Sequence, residues 1–204
     1  MSREYWAGTQ YAFSQAAGWD AATTRAAGGR WDAPGLGEWT MRDLVGHTSR
    51  ALVTVETYLD APARALEVSS PADYLRLVLA SPAGDPAAVA QRGRKAGAAL
   101  GVDPAEAVEE ITARVLARVD AAKDDVVVAT PVGGMRLGDY LPTRTFELTV
   151  HTCDLAAALG QPLDVQPAAA VNSLTLLGEL AARAGPLLLA GTGRGGLPDR
   201  FTAL

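Results

Sequence analysis

Cysteine is nearly absent from this chain: Cys153 is the only one in 204 residues. That excludes an internal disulfide framework and suits a reducing cytoplasm, the expected location. No apolar run approaches the ~18 residues of a membrane-spanning helix. Met1-Ser-Arg-Glu has neither the basic start nor the apolar core of a signal peptide. Basic clusters are also scarce. Net charge is -5, and nothing exceeds Arg92-Gly-Arg94-Lys95, so neither nucleic acid nor a membrane is an expected partner. Of the 18 basic residues only Lys95 and Lys123 are lysines. With abundant alanine, this bias points to a GC-rich genome. Histidine is limited to His47 and His151, so any histidine-based chemistry must use those two.

What is present is helical periodicity over a length that suits a single domain, residues 1–204. Ser2 caps a first helix with Tyr5, Trp6, Thr9, Phe13 and Ala16 at helical spacing; Gly18-Trp19 is expected to bend or end it. A Gly- and Pro-containing loop covers 30–38. Thr40, with Asp43 completing a capping-box pair, starts a second helix carrying Leu44, His47, Ala51, Val55 and Tyr58. Pro71 to Ala80 and Pro86 to Leu100 read as helices, separated by a break over 81–86. Asp103-Pro104 opens another, to about Ala122. Val126 to Ala129, Gly133-Gly134 and Met135 to Leu137 predict a small hairpin. Gln166 to Ala184 is expected to be the last long helix, continuing past Gly185-Pro186, before a Gly-rich tail. The four tryptophans, all N-terminal, are expected to pack the first helix and loop onto the rest.

Leu137 to Gly160 carries the chemistry. No Gly or Pro interrupts Thr143 to Leu159, and Gly160 followed by Pro162 stops the helix. At spacings of three and four, Glu147, His151 and Asp154 share one side, with Arg144 one turn earlier. Phe146, Val150, Cys153 and Ala157 form a second stripe expected to face the core. A Glu and a His at i, i+4 can converge on one ion, catalytic metals usually take three protein ligands, and His47 is the candidate third. A lone helix histidine is more often a packing residue than a ligand, and Glu–His pairs also occur as plain surface pairs, so a structural dimerising bundle in which the two histidines satisfy each other stays open. Asp43 either orients His47 or caps its helix. Cys153, two positions from His151, reads as a packing residue. Gly191-Thr-Gly193-Arg-Gly-Gly196 has the letters of a dinucleotide fingerprint without its strand-then-helix context.

These residues carry a resemblance. Glu38-Trp39-Thr40-Met-Arg42-Asp43-Leu44-Val-Gly-His47 resembles the second-helix motif of the mycothiol-dependent maleylpyruvate isomerase family, within the DinB/YfiT-like metalloenzymes. Leu141-Pro-Thr-Arg144-Thr-Phe-Glu147-Leu-Thr-Val-His151-Thr-Cys-Asp154-Leu155 resembles its second metal motif, and Ala190 to Arg194 with Leu197-Pro198 its closing segment. The resemblance implies an all-α fold, a DinB-like four-helix bundle with a small β-hairpin before the third or fourth core helix. It also implies His47, Glu147 and His151 as ligands of a divalent metal, usually zinc, and mycothiol as the thiol cosubstrate, in an actinobacterial setting. The isomerase itself has a substantial C-terminal domain contributing to its site, whereas this chain ends soon after the bundle motifs. The implied activity is therefore a thiol transferase or isomerase acting on a small electrophile. Arg144 or Arg194 would pair with a carboxylate of thiol or substrate, the alternative for each being a surface ion pair. A metal-dependent hydrolase would instead need a base, for which Asp154 is the candidate on this helix. A binding bundle without turnover, and a homodimer, are compatible with the same residues.

Overall fold

A computed structural model describes residues 2–82, 85–181, 184–199 and 201–202. In chain order the elements are α1 (Arg3–Arg25), α2 (Met41–Leu59), α3 (Pro71–Leu79), α4 (Pro86–Ala99), α5 (Pro104–Ala121), β1 (Val127–Thr130), β2 (Gly133–Arg136), α6 (Leu137–Leu159), α7 (Pro167–Leu180) and α8 (Ala184–Gly191). The fold is all-α apart from the hairpin. α1 and α2 each pack against both α5 and α6, making a DinB-like four-helix bundle; the hairpin leads into α6, its fourth helix. No helix among the described residues is long and apolar enough to cross a membrane.

Local chemistry sets the helix starts. Ser2 accepts from the Tyr5 N–H, and Thr40 and Asp43 exchange both bonds of a capping box at α2. Ser70, Asp85 and Asp103 cap α3, α4 and α5, each followed by proline at the first helical position. Contrary to expectation, α1 runs unbroken through Gly18-Trp19. Glycine costs a helix about 1 kcal/mol, which is outweighed where Phe13, Ala16, Ala17 and Ala21 are buried against neighbours on either side of it. The expected single helix from Gln166 to Ala184 is instead α7, ending at Ala181 in extended backbone, followed by the separate α8. Residues 182–183, through which it was expected to run, and residues 83–84, within the expected break before α4, lie outside the described residues.

The buried face of α6 also differs from the expected stripe. Val150 is 39% exposed and Ala157 is exposed, while Leu141, Thr145, Leu148, Thr152 and Leu155 are buried. The reason lies in the threonines. Thr145 and Thr149 donate back to the carbonyls of Leu141 and Thr145, which satisfies the hydroxyls and lets the methyls pack as apolar surface. Pro142 sits within α6, and its own carbonyl accepts from Asn172 of α7 at 2.9 Å. Gly160 ends the helix in the left-handed conformation at φ 69°.

α4 is held to α2 by a close backbone crossing. A Cβ on Gly46 would lie 2.1 Å from the Gly97 nitrogen, and one on Gly93 would press on Trp39 and His47. Gly46→Ala gains about 1 kcal/mol of helix propensity, but must separate two backbones, an overpacking cost of about 1–3 kcal/mol or more. The variant should be less stable in chemical denaturation, with its largest loss of amide protection in α4; unchanged stability would show that the crossing is not tight.

Candidate functional site

His47 projects from the middle of α2, and Glu147 and His151 from α6, into one wall of a cavity of about 510 Å³. The two helices pack side by side, and this brings together residues 104 positions apart. His47 Nε2 and His151 Nε2 are 3.1 Å apart, and His151 Nε2 is 3.5 Å from Glu147 Oε2. One ligand atom from each of the three lies within 4.8 Å of the others. Bonds of 2.0–2.1 Å at a tetrahedral ion imply ligand–ligand separations of about 3.3 Å, which the two short distances bracket. Two imidazoles and one carboxylate form a donor set suited to zinc.

The same cluster is coherent without an ion. Burial, then the charge of His151, push His47 down to about 4, so it is neutral and accepts through Nε2. Its Nδ1 then carries the proton, and this buried atom has no partner. Burial alone would lower His151, but hydrogen bonds and charges from Asp154 and Glu147 outweigh it and raise the ring to about 9. Glu147 is held down at about 2: burial would raise it, but His151, Arg144 and His47 prevail. A buried carboxylate needs such partners.

Asp154 accepts from His151 Nδ1 at 3.0 Å, on the ring edge opposite Nε2. This fixes the tautomer and orientation of the imidazole, as a carboxylate behind a ligating histidine does. Asp43 takes the capping role, leaving His47 Nδ1 without it. Arg144 lines the cavity, its guanidinium 4.9 Å from the Tyr140 ring centre and 5.5 Å from that of Tyr74. Its Nε donates to Thr143 Oγ1 at 3.0 Å, and its charge faces Glu147. Arg194 is not brought to the site; it lies in the exposed segment after α8, its N–H bonded to the Leu189 carbonyl. Cys153 is half-buried outside the cavity, and burial raises its thiol.

Sequence reasoning missed several cavity residues. Trp39, assigned to packing, stands with its ring 4.7 Å from that of His47. Arg50 follows His47 by three positions, and Tyr140 precedes Arg144 by four; both spacings were legible on their helices. Arg92 of α4 was not, because its place depends on the α2–α4 crossing.

In this all-α, DinB-like bundle two histidines and a glutamate converge at a cavity wall, close enough together to hold a metal ion. The chain belongs to the mycothiol maleylpyruvate isomerase N-terminal domain family, whose profile matches residues 13–156. No curated protein and no solved structure matches it.

Behind the site, Asp20 of α1 is fully buried and accepts from Thr152 Oγ1 at 3.4 Å, while its other oxygen has no partner. Burial raises this carboxyl to about 7, against the opposing pull of Thr152 and His151. Between about pH 4 and 7 the folded chain keeps a proton that the unfolded chain has lost, so stability falls as pH rises through this window. Asp20→Asn keeps the acceptor without the charge. It should stabilise the protein at pH 8 by something on the order of 2–4 kcal/mol, and by much less near pH 4.5. Equal effects in denaturation curves at the two pH values would contradict this assignment.

Proposed function

We propose that the chain is a metal-dependent, thiol-using enzyme in which His47, Glu147 and His151 hold a divalent ion, zinc by its donor set, and mycothiol is the thiol cosubstrate. The observation that carries this reading is the convergence of three ligand atoms at the wall of a cavity that contains no cysteine of its own. The thiol comes from outside, and family membership supports mycothiol. His47, Glu147 and His151 would hold the ion, and the chemistry it would supply is Lewis-acid stabilisation of a thiolate. The protein's share is positioning. Asp154 holds His151 in one tautomer, Arg144 balances the charge of Glu147, and apolar walls including Val78, Val89 and Phe146 limit water around the reacting groups.

The reaction class is thiol addition to an electrophilic carbon. Sulfur bonds to one carbon of an activated alkene, and the proton given up by the thiol goes to the neighbouring carbon. Reversal after rotation about the carbon–carbon single bond isomerises the alkene and regenerates the thiol; in a transfer the sulfur–carbon bond instead replaces the bond to a leaving group, which departs with that electron pair and takes up the thiol's proton. Hydrolysis is a weaker reading, because Asp154, its candidate base, is already spent on the far side of His151.

Three experiments test this. His47→Ala, Glu147→Ala and His151→Ala should each lose most of the bound metal while keeping helical circular dichroism, whereas Cys153→Ser should keep both; stoichiometric metal in all three alanine variants would remove the site. Metal-loaded protein should consume maleyl-type acids or epoxides only with added thiol, mycothiol best. Turnover without thiol would establish hydrolysis instead, and none with any thiol a binding bundle. Affinity should also depend on pH. Binding displaces the proton of His151, held to about 9, so zinc affinity should fall about tenfold per unit on acidification from pH 8 to 6. An unperturbed imidazole would begin to lose affinity only near pH 6.5. Chelator competition across that range distinguishes the two.

A further inference from the structure

α7 is apolar on two sides. Ala169 and Leu176 are buried against the bundle, where α6, α1 and α3 cover them, while Val171, Leu174 and Gly178, at spacings of three and four, are exposed. A helix apolar on both sides belongs between two layers. The outer side adjoins a groove of about 560 Å³ between α7 and the first half of α1, lined by Tyr5, Gly8, Ala12 and Gln15 at the same spacing and by Tyr11 and Val171. Among the described residues no Asp, Glu, Lys or Arg lines it. Its polar groups are satisfied from within. Gln15 donates to the Tyr11 hydroxyl at 2.8 Å and accepts from the Ala168 N–H at 3.1 Å. Thr9 donates to the Trp6 carbonyl and Asn172 to that of Pro142. The complement of such a groove is apolar surface, not a polar ligand. Gly8 and Gly178 agree with this. A Cβ at either meets nothing within 4 Å among the described residues, although only proline is less favourable inside a helix. The chain's own packing gives neither glycine a reason, whereas close approach of another backbone from outside does.

Size and charge select a second copy of this chain. Tyr5, Tyr11, Val171 and Leu174 are between 41% and 67% exposed, and together show about 300 Å² of side-chain surface. A standard interface buries about 800 Å² per partner, a little over half of it non-polar. These four residues supply the larger part of one partner's apolar share. Copies of a chain with net charge -5 repel one another over most of their surface, and a face without ionised groups is where they can meet. A two-fold interface sets the same residues on both sides, and an uncharged apolar face is complementary to its own copy.

We propose that the outer faces of α1 and α7 form the interface of a homodimer, the groove of each copy taking the Val171–Leu174 ridge of the other, with Gly8 and Gly178 at the points of closest approach. The inference stands apart from metal and thiol, since none of His47, Glu147 and His151 lines this groove.

The test is sedimentation equilibrium of the full chain from about 1 to 100 µM, over which the mass should rise towards that of two chains. Gly8→Arg should raise the dimer dissociation constant about tenfold or more. It fills open space, improves helix propensity, sets an arginine four residues after Glu4 and makes the chain less acidic. Its helical circular dichroism should therefore match the wild type, and repulsion between copies cannot explain a monomer. Leu174→Arg should act alike, whereas Val102→Arg, at an apolar residue 97% exposed before α5 and outside the groove, should dimerise as the wild type does. A wild type that stays monomeric at the highest concentration overturns the proposal and leaves the face to a different chain. A dimer that both groove variants retain overturns it as well. If neither variant folds, hydrogen exchange of the wild type decides: raising the concentration should add amide protection in the first half of α1 and in α7, and none there overturns the proposal.

Discussion

The packing of α2 against α6 is the constraint on which the rest of the structure depends. The imidazoles of His47 and His151 approach to 3.1 Å only because the helices carrying them are held at a fixed separation. Buried Leu44, Leu52 and Val55 on α2, and Leu141, Leu148 and Leu155 on α6, take part in the cores that hold it. Burial of this many side chains, at roughly 1.5–3 kcal/mol each, far exceeds what one His–His contact contributes. The core positions the site, and the polar cluster adapts to it. Its cost shows in what is left over: the unpartnered Nδ1 of His47 and the raised carboxyl of Asp20 both lie where the bundle buries polar atoms incompletely satisfied.

Electrostatics divides the cavity into two parts. Around His151 the charges alternate: Asp154 behind the ring, Glu147 beside it, Arg144 beyond, so every ionised group there has an opposite neighbour. Toward Arg50 the ionised neighbours are Arg92 and Arg144, both of its own sign.

The helices themselves were legible in the amino-acid sequence because their signals are local. Ser2, Thr40 with Asp43, Ser70, Asp85 and Asp103 act on N–H groups within three residues, and Gly160 acts on its own backbone. The Glu147–His151–Asp154 face follows from helical geometry alone. Of the Phe146–Val150–Cys153–Ala157 stripe Phe146 is in the core while Val150 and Ala157 are exposed, and the threonine part of the core face went unread because threonine counts as polar until its hydroxyl is seen bonded to its own helix. α1 does not end at Gly18-Trp19, one of the two outcomes expected there, for a related reason, since propensity is a weak term where neighbours bury both sides.

By itself, then, the sequence determined the helix starts, the hairpin, the Glu147–His151–Asp154 face with His47 as its candidate partner, and the family resemblance. Only tertiary structure decided which groups meet across helices. It assigned Asp154 to His151 and Asp43 to its cap, left Arg194 outside, set Trp39 against His47, and used the glycine crossing of α2 and α4 to bring Arg92 to the cavity. The physical reason is range. Capping and helical periodicity act within a turn or two, whereas the partner of a buried charge is fixed by which helices the core presses together, and that depends on the whole chain at once.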